Sequence, residues 1–154
     1  MVGSATYATQ LTLTKCRELA ILTLLLGKGL EQYLMHLLAL LGEDAIIGLT
    51  TGTYELVEQA NEFADALDYI GAGPFRPTPT KDSGRTPLGI DGYRALVELS
   101  QVPVVAIGDV TAEDAQPLAA TGVAGLAVVR GLMDAADPAV YAQRLLTGFE
   151  AGSR

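Results

Sequence analysis

The sequence predicts an α/β fold in which βα units repeat around a parallel sheet, and three observations predict it. Short apolar runs recur from residue 44 onward, a helical pattern follows each run, and glycine or small polar residues stand at the junctions. The runs show no alternation of apolar and polar residues, the pattern of parallel strands covered on both faces. At 154 residues the chain has room for one domain with a sizeable core. It falls short of the roughly 200–250 residues that a closed barrel of eight βα units takes. About four units fit between 44 and 150, preceded by N-terminal helices, and no linker divides residues 1–154.

Residues 1–15 lack a basic stretch leading into an apolar core and a small-residue cleavage site, so no secretory signal is expected. Residues 19–41 are the most apolar part of the chain, interrupted by Lys28, Glu31, Gln32 and His36. A membrane span needs about 20 mostly apolar residues without such charges. The segment 14–42 therefore reads as one or two buried helices with a break near Gly27 and Gly29. Residues 1–42 form a helical segment ahead of the βα repeats at 43–152.

Strands are expected at 45–49, 69–73, 104–108 and 126–129, and helices at 54–66, 89–100, 111–121 and 137–149. Thr111 is a suitable N-cap, Asp114 supplies an acidic group in the first turn, and Gly122 suits a left-handed stop. Strand starts are spaced by about 24, 35 and 22 residues, the middle gap being long because of the segment 74–87. Four prolines in those fourteen residues exclude a helix or central strand. A long loop of this kind leaves the carboxyl end of a strand, where such folds place their ligands.

Charge and cysteine usage bound the function. Ten Lys and Arg against 18 Asp and Glu give 10 − 18 = −8, and so acidic a surface repels nucleic-acid backbones. The single cysteine, Cys16, allows no internal disulfide, which fits a cytoplasmic protein. No Cys/His cluster has zinc-site spacing. His36 lies in an apolar helical run without a partner at ligand spacing, and Glu43 and Asp44 read as a helix boundary. No carboxylate pair suits acid/base work.

The proline-rich loop is the strongest site candidate. Thr78, Thr80 and Lys81 bring two hydroxyls and an ammonium onto a loop stiffened by Pro77 and Pro79, a set that suits phosphate or diphosphate. Arg76 and Arg85 add charge at its edges; the alternative is a solvated loop kept soluble by its cations. Gly108, before Asp109 and Thr111, and the run Val129-Arg130-Gly131 mark strand ends where a ligand can approach the backbone. Each glycine could equally serve only a tight βα turn. Asp109 either caps the following helix or orients a substrate hydroxyl or a metal-bound water.

The segments Asp68-Tyr69-Ile70-Gly71-Ala72-Gly73-Pro74 and Pro77-Thr78-Pro79-Thr80-Lys81 resemble the signature of the thiamine-phosphate synthase family. Pro87-Leu88-Gly89 leading to 104–108, the run 44–51, and Val128-Val129-Arg130 resemble it too, so the likeness covers about 38–150. The resemblance implies a TIM-barrel-type βα repeat, incomplete here, and a Mg²⁺-assisted transferase of thiamine biosynthesis. That reaction joins a hydroxymethylpyrimidine diphosphate to a thiazole phosphate and releases diphosphate. By resemblance, Lys81 holds the diphosphate and is the catalytic residue, and Thr50 sits beside the pyrimidine. Thr78, Pro79, Thr80, Gly108, Val129 and Arg130 hold the thiazole phosphate.

The sequence departs from the family pattern in several places. The family commonly has serine where Arg130 stands and a second glycine where Asp109 stands. Its Gln-x-Arg-x-Lys motif is matched only by Gln10-Leu11 ahead of Thr14-Lys15-Cys16-Arg17, and its Mg²⁺-holding Asn-Asp pair and further Asp have no counterpart, so no metal ligand is assigned. A catalytically impaired phosphate-binding half-barrel is the alternative. A related thiazole tautomerase is the weaker one, since Gly52 and Thr53 stand where that enzyme has its histidine. An open half-barrel exposes strand edges, so a homo-oligomer is expected, with small phosphate and diphosphate substrates as its other partners.

Overall fold

Among the described residues five parallel strands, hydrogen-bonded in chain order, make one sheet: β1 (Leu19–Leu22), β2 (Ile46–Thr51), β3 (Tyr69–Ala72), β4 (Val104–Ile107) and β5 (Gly125–Ala127). The computed structural model describes residues 19–22, 42, 45–77 and 84–154. Helix α1 (Tyr54–Asn61) connects β2 to β3, and α2 (Gly89–Leu99) connects β3 to β4. A 3₁₀ turn (Ala112–Asp114) running into α3 (Ala115–Ala119) connects β4 to β5. After β5 come the short α4 (Arg130–Met133) and the C-terminal α5 (Pro138–Gly152). This is the α/β repeat of four βα units that the apolar runs predict.

One element corrects the sequence reading. Leu19–Leu22 lies inside the segment read as helical, yet it is a strand, pairing in parallel with β2 from Leu19 opposite Ile46 to Leu22 opposite Leu49. A short apolar run has no periodicity that separates buried strand from buried helix, and the open backbone edge of β2 decides between them. The remaining residues of 1–41, including Cys16, Gly27, Gly29 and His36, lie outside the described residues, as do Glu43 and Asp44.

Local chemistry sets the helix ends. Thr53 is extended at φ −133° and its hydroxyl accepts from Leu56 N at 3.3 Å, capping α1. The 3₁₀ turn opens as expected on Thr111, whose backbone N and hydroxyl both donate to Asp114 Oδ2, at 2.8 and 2.7 Å. Gly122 ends the following helix with φ 90°. Asp137 Oδ1 accepts from Ala139 N and Val140 N, with Pro138 at the first helical position of α5.

Alternation along the strands separates two faces. Ile47, Leu49, Ile70, Ala72, Val104 and Ala106 are buried in one cluster with Val57 and Ala60 of α1, Tyr93 and Leu96 of α2, and Leu118 of α3. The registers put Thr50 opposite Gly71 and Ile107 opposite Ala127, so these residues share the other face. Tyr69 lies on that face as well, its ring occupying the space above Gly48 that a Cβ would need.

Tyr93 ties the helix layer to the strand ends. Its buried hydroxyl donates to Ala72 O at 2.6 Å and accepts from Ile107 N at 3.3 Å, joining the last residues of β3 and β4. Burial holds the phenol well above its ordinary pKa, so it remains a neutral donor. Its ring packs 6.0 Å from that of Phe75. Tyr93→Phe is expected to lower folding stability by about 1–3 kcal/mol, the cost of leaving a buried carbonyl short of a donor. Urea denaturation checks this; an unchanged midpoint would show that the bond contributes nothing net.

Candidate functional site at the carboxyl ends of the strands

In a parallel sheet every strand delivers its following loop to the same edge, and here β3, β4 and β5 deliver loops that lock onto one another. Phe75 N donates to Ile107 O at 2.9 Å and to Gly108 O at 3.2 Å, and Arg76 N donates to Gly108 O at 3.3 Å. Leu88 N donates to Pro74 O at 2.9 Å and Gly89 N to Phe75 O at 3.1 Å, so the proline-rich loop leaves and returns at one closed neck. Gly108 is required at this junction: its φ is 94°, and a Cβ on it would stand 2.6 Å from Pro74 Cα. Neither the Gly108 nor the Asp109 conformation belongs to a simple strand end, since Asp109 follows with φ 60°.

Side chains extend the lock. Arg76 lies over the Phe75 ring at 4.8 Å and pairs with Asp114 at 2.5 Å, joining the loop after β3 to the turn after β4. Arg85 Nη1 donates to Thr51 O at 2.9 Å, joining the returning limb of the proline-rich loop to the end of β2. Arg130, the first residue of α4, pairs with Asp109. Tyr141 of α5 accepts from Ala112 N at 3.1 Å through its hydroxyl, which fills the space beside Gly131 that a Cβ would need.

The sequence-predicted residues divide into three groups. Gly108, Val129 and Arg130 stand at the ends of β4 and β5, bridged by the Asp109–Arg130 pair. Thr50 is half-buried at the end of β2 on the face away from the helices, opposite Gly71. Thr78, Pro79, Thr80 and Lys81 lie outside the described residues, within the loop whose neck is described. Asp109 does not cap the following helix; Thr111 and Asp114 open it, and the Asp109 carboxylate turns to Arg130. Sequence reasoning missed Tyr93, Tyr141 and the Asp109–Arg130 pair. The pair spans 21 residues, and nothing local signals it.

Among the described residues no group of three or more His, Cys, Asp or Glu could hold a metal ion. Asp109 and Asp114, the carboxylates at this edge that sequence singled out, are engaged by Arg130 and Arg76. Glu113, exposed, is held below the usual carboxylate range first by its own backbone N–H and further by the nearby Thr111 and by Arg144, which donates to it at 2.6 Å. Loops that converge at the carboxyl ends of parallel strands define a βα-repeat protein with its loops gathered at one edge.

The family model described as thiamine monophosphate synthase matches residues 32–132. The chain is 79% identical over 114 residues to the thiamine-phosphate synthase of Corynebacterium efficiens, covering 74% of this chain and 53% of that protein. It is 72% identical over 116 residues to that of Corynebacterium jeikeium, covering 75% and 53%. A thiamine phosphate pyrophosphorylase structure from Pyrococcus furiosus superimposes with a TM-score of 0.62 at 32% identity, over 71% of this chain and 51% of that one. A chain of the BexX/CysO complex of Amycolatopsis orientalis shares the fold, with a TM-score of 0.52 at 20% identity. The chain belongs to the thiamine monophosphate synthase family. It spans about half the length of the curated relatives it matches.

The loop lock yields a direct expectation. Gly108→Ala adds a methyl against the Pro74 backbone at a φ that L residues rarely adopt, and is expected to destabilise the fold by about 1–3 kcal/mol. Thermal and urea denaturation measure it; equal stability would mean that the two loops do not depend on their close approach.

Proposed function

We propose that this chain carries the phosphate-binding part of a thiamine-phosphate synthase. That enzyme is a transferase of thiamine biosynthesis that joins hydroxymethylpyrimidine diphosphate to a thiazole phosphate. The carrying observation is the interlocked edge itself, where the loops bearing Gly108, Val129 and Arg130 meet the neck of the Thr-Pro-Thr-Lys loop inside the family-matched segment.

In this proposal Thr78, Pro79, Thr80, Gly108, Val129 and the backbone of Arg130 surround the thiazole phosphate, and Thr50 lies beside the pyrimidine. Lys81 is the catalytic residue. As the bond between the pyrimidine methylene carbon and the diphosphate oxygen breaks, the electron pair stays with diphosphate. The thiazole nitrogen supplies a new pair to that carbon. The Lys81 ammonium stabilises the departing oxygens more in the transition state than in the ground state, which accelerates the step. Holding the nitrogen in line with the carbon accounts for much of the rest. No protein nucleophile is needed.

Mg²⁺ belongs to the proposal as the counterion that a diphosphate substrate brings to such a site. The described carboxylates do not fit it: no cluster of three is present among them, and Asp109 and Asp114 face arginines. No step is therefore routed through the ion. That same donor set favours the second reading, a phosphate-binding half-barrel without catalytic turnover. The tautomerase reading fares worse. Thr53 caps α1, and Gly52, at φ 156°, packs so close to Gly73 O that an added Cβ has no space.

The lone cysteine supports placement in the cytoplasm, and the charge of −8 supports a protein without nucleic-acid partners. No helix among the described residues is long and apolar enough to cross a membrane.

A synthase assay with both phosphorylated substrates and Mg²⁺ tests catalysis, and absence of product from folded protein leaves the binding reading alone standing. Lys81→Ala is expected to weaken diphosphate binding at least about tenfold while changing thiazole-phosphate binding much less, as calorimetry would measure. Equal losses for both ligands contradict the roles assigned.

The sheet order supports a homo-oligomer. Among the described residues nothing pairs with the outer edges of β1 and β5, and Val129, Met133, Val140 and Leu146 are exposed in the segment that follows β5. Light scattering at micromolar concentration is expected to give at least twice the chain mass of 16.1 kDa. A stable monomer counts against it.

A further inference from the structure

Asp109 is the described non-glycine residue with a left-handed backbone, at φ 60°, directly after Gly108 at φ 94°. That conformation is costly for most side chains and tolerable for aspartate. It carries a carboxylate, one-fifth exposed, to the strand-end edge where the phosphate reading places an anion. An unpaired carboxylate there would repel phosphate. Arg130, from the end of the next strand, instead turns its guanidinium onto that carboxylate. The arginine is thus committed to a partner inside the protein, and the two charges cancel at the junction of the β4 and β5 loops.

We infer that Asp109 and Arg130 work as one neutral unit. Arg130 silences the Asp109 carboxylate at the anion-binding edge and is not itself the phosphate ligand. The inference deepens the phosphate reading and rests on it. It makes Arg130 a residue that acts through Asp109, and it assigns the pair to ligand selection: removing the cation turns the edge against dianionic phosphate esters. Removing both charges leaves the edge as it was.

The test is calorimetric titration of a phosphate monoester, the thiazole phosphate, into five forms of the whole chain. Arg130→Ser is expected to weaken binding about tenfold, through the exposed negative charge. Asp109→Asn combined with Arg130→Ser is expected to restore affinity to within about threefold of the unsubstituted chain, and Asp109→Asn alone to tighten it. A double variant as weak as Arg130→Ser overturns the inference, because Arg130 would then be a direct ligand. Unchanged binding by Arg130→Ser overturns it too. Asp109→Gly with Arg130→Ser is the second neutral form, at a backbone angle that glycine adopts without strain, and circular dichroism confirms that each form is folded. If the unsubstituted chain binds no phosphate ester, the phosphate reading fails together with this inference. Binding without rescue rejects this inference alone.

Discussion

The close approach of two backbones at Gly108 holds the functional edge together. Its carbonyl accepts N–H groups from Phe75 and Arg76, and its α-carbon comes so near Pro74 that no side chain fits between. A parallel sheet aligns strand ends, but it leaves the loops beyond them free to diverge. Here the loop after β3 is tethered to the end of β4 before it enters its proline-rich excursion, and it returns to the same place through Leu88 and Gly89. The excursion is long in sequence and short in span, so its ends are fixed by backbone hydrogen bonds that no side-chain substitution removes directly. Tyr93 secures the strand ends beneath, by a hydroxyl buried in the helix-facing core.

Charge is organised around that edge. The chain carries a net −8, yet Arg76, Arg85 and Arg130 all lie in the segments that follow β3 and β5. Each is oriented by an acceptor: the Asp114 carboxylate, the Thr51 carbonyl and the Asp109 carboxylate. Arginine fits this use because its planar fork satisfies an internal acceptor and retains further N–H groups. Partial exposure limits what such pairs add to stability, since solvent screens them. Their consequence is geometric, in that each one ties a loop to the carboxyl end of a neighbouring βα unit.

Much of this architecture was legible in the sequence, and the parts that were not share a cause. The runs at 45–49, 69–73, 104–108 and 126–129 became β2 to β5 within about two residues, because each is apolar, short and followed by a helical period. Thr111, Asp114 and Gly122 behaved as local chemistry requires. Leu19–Leu22 was misjudged because pairing with β2, and not propensity, makes it a strand. Tyr93 reads in sequence as one more apolar position on a helix, and its role depends on carbonyls supplied by two strands. Asp109 and Arg130 each look like a departure from the family pattern; only the fold shows that the two departures meet.

The order of strands explains how part of a barrel keeps a coherent site. Because β2 to β5 are neighbours in both chain and sheet, each described loop is locked by the unit beside it. The core that supports them, from Ile47 and Leu49 through Tyr93 and Leu118 to Phe149, is supplied by the same units. The loop lock therefore falls on contiguous chain, between the end of β2 and α5. Asp109 and Asp114 at this edge are committed to arginines. The segment that the family model matches, 32–132, contains the backbone contacts that tie these strand ends together.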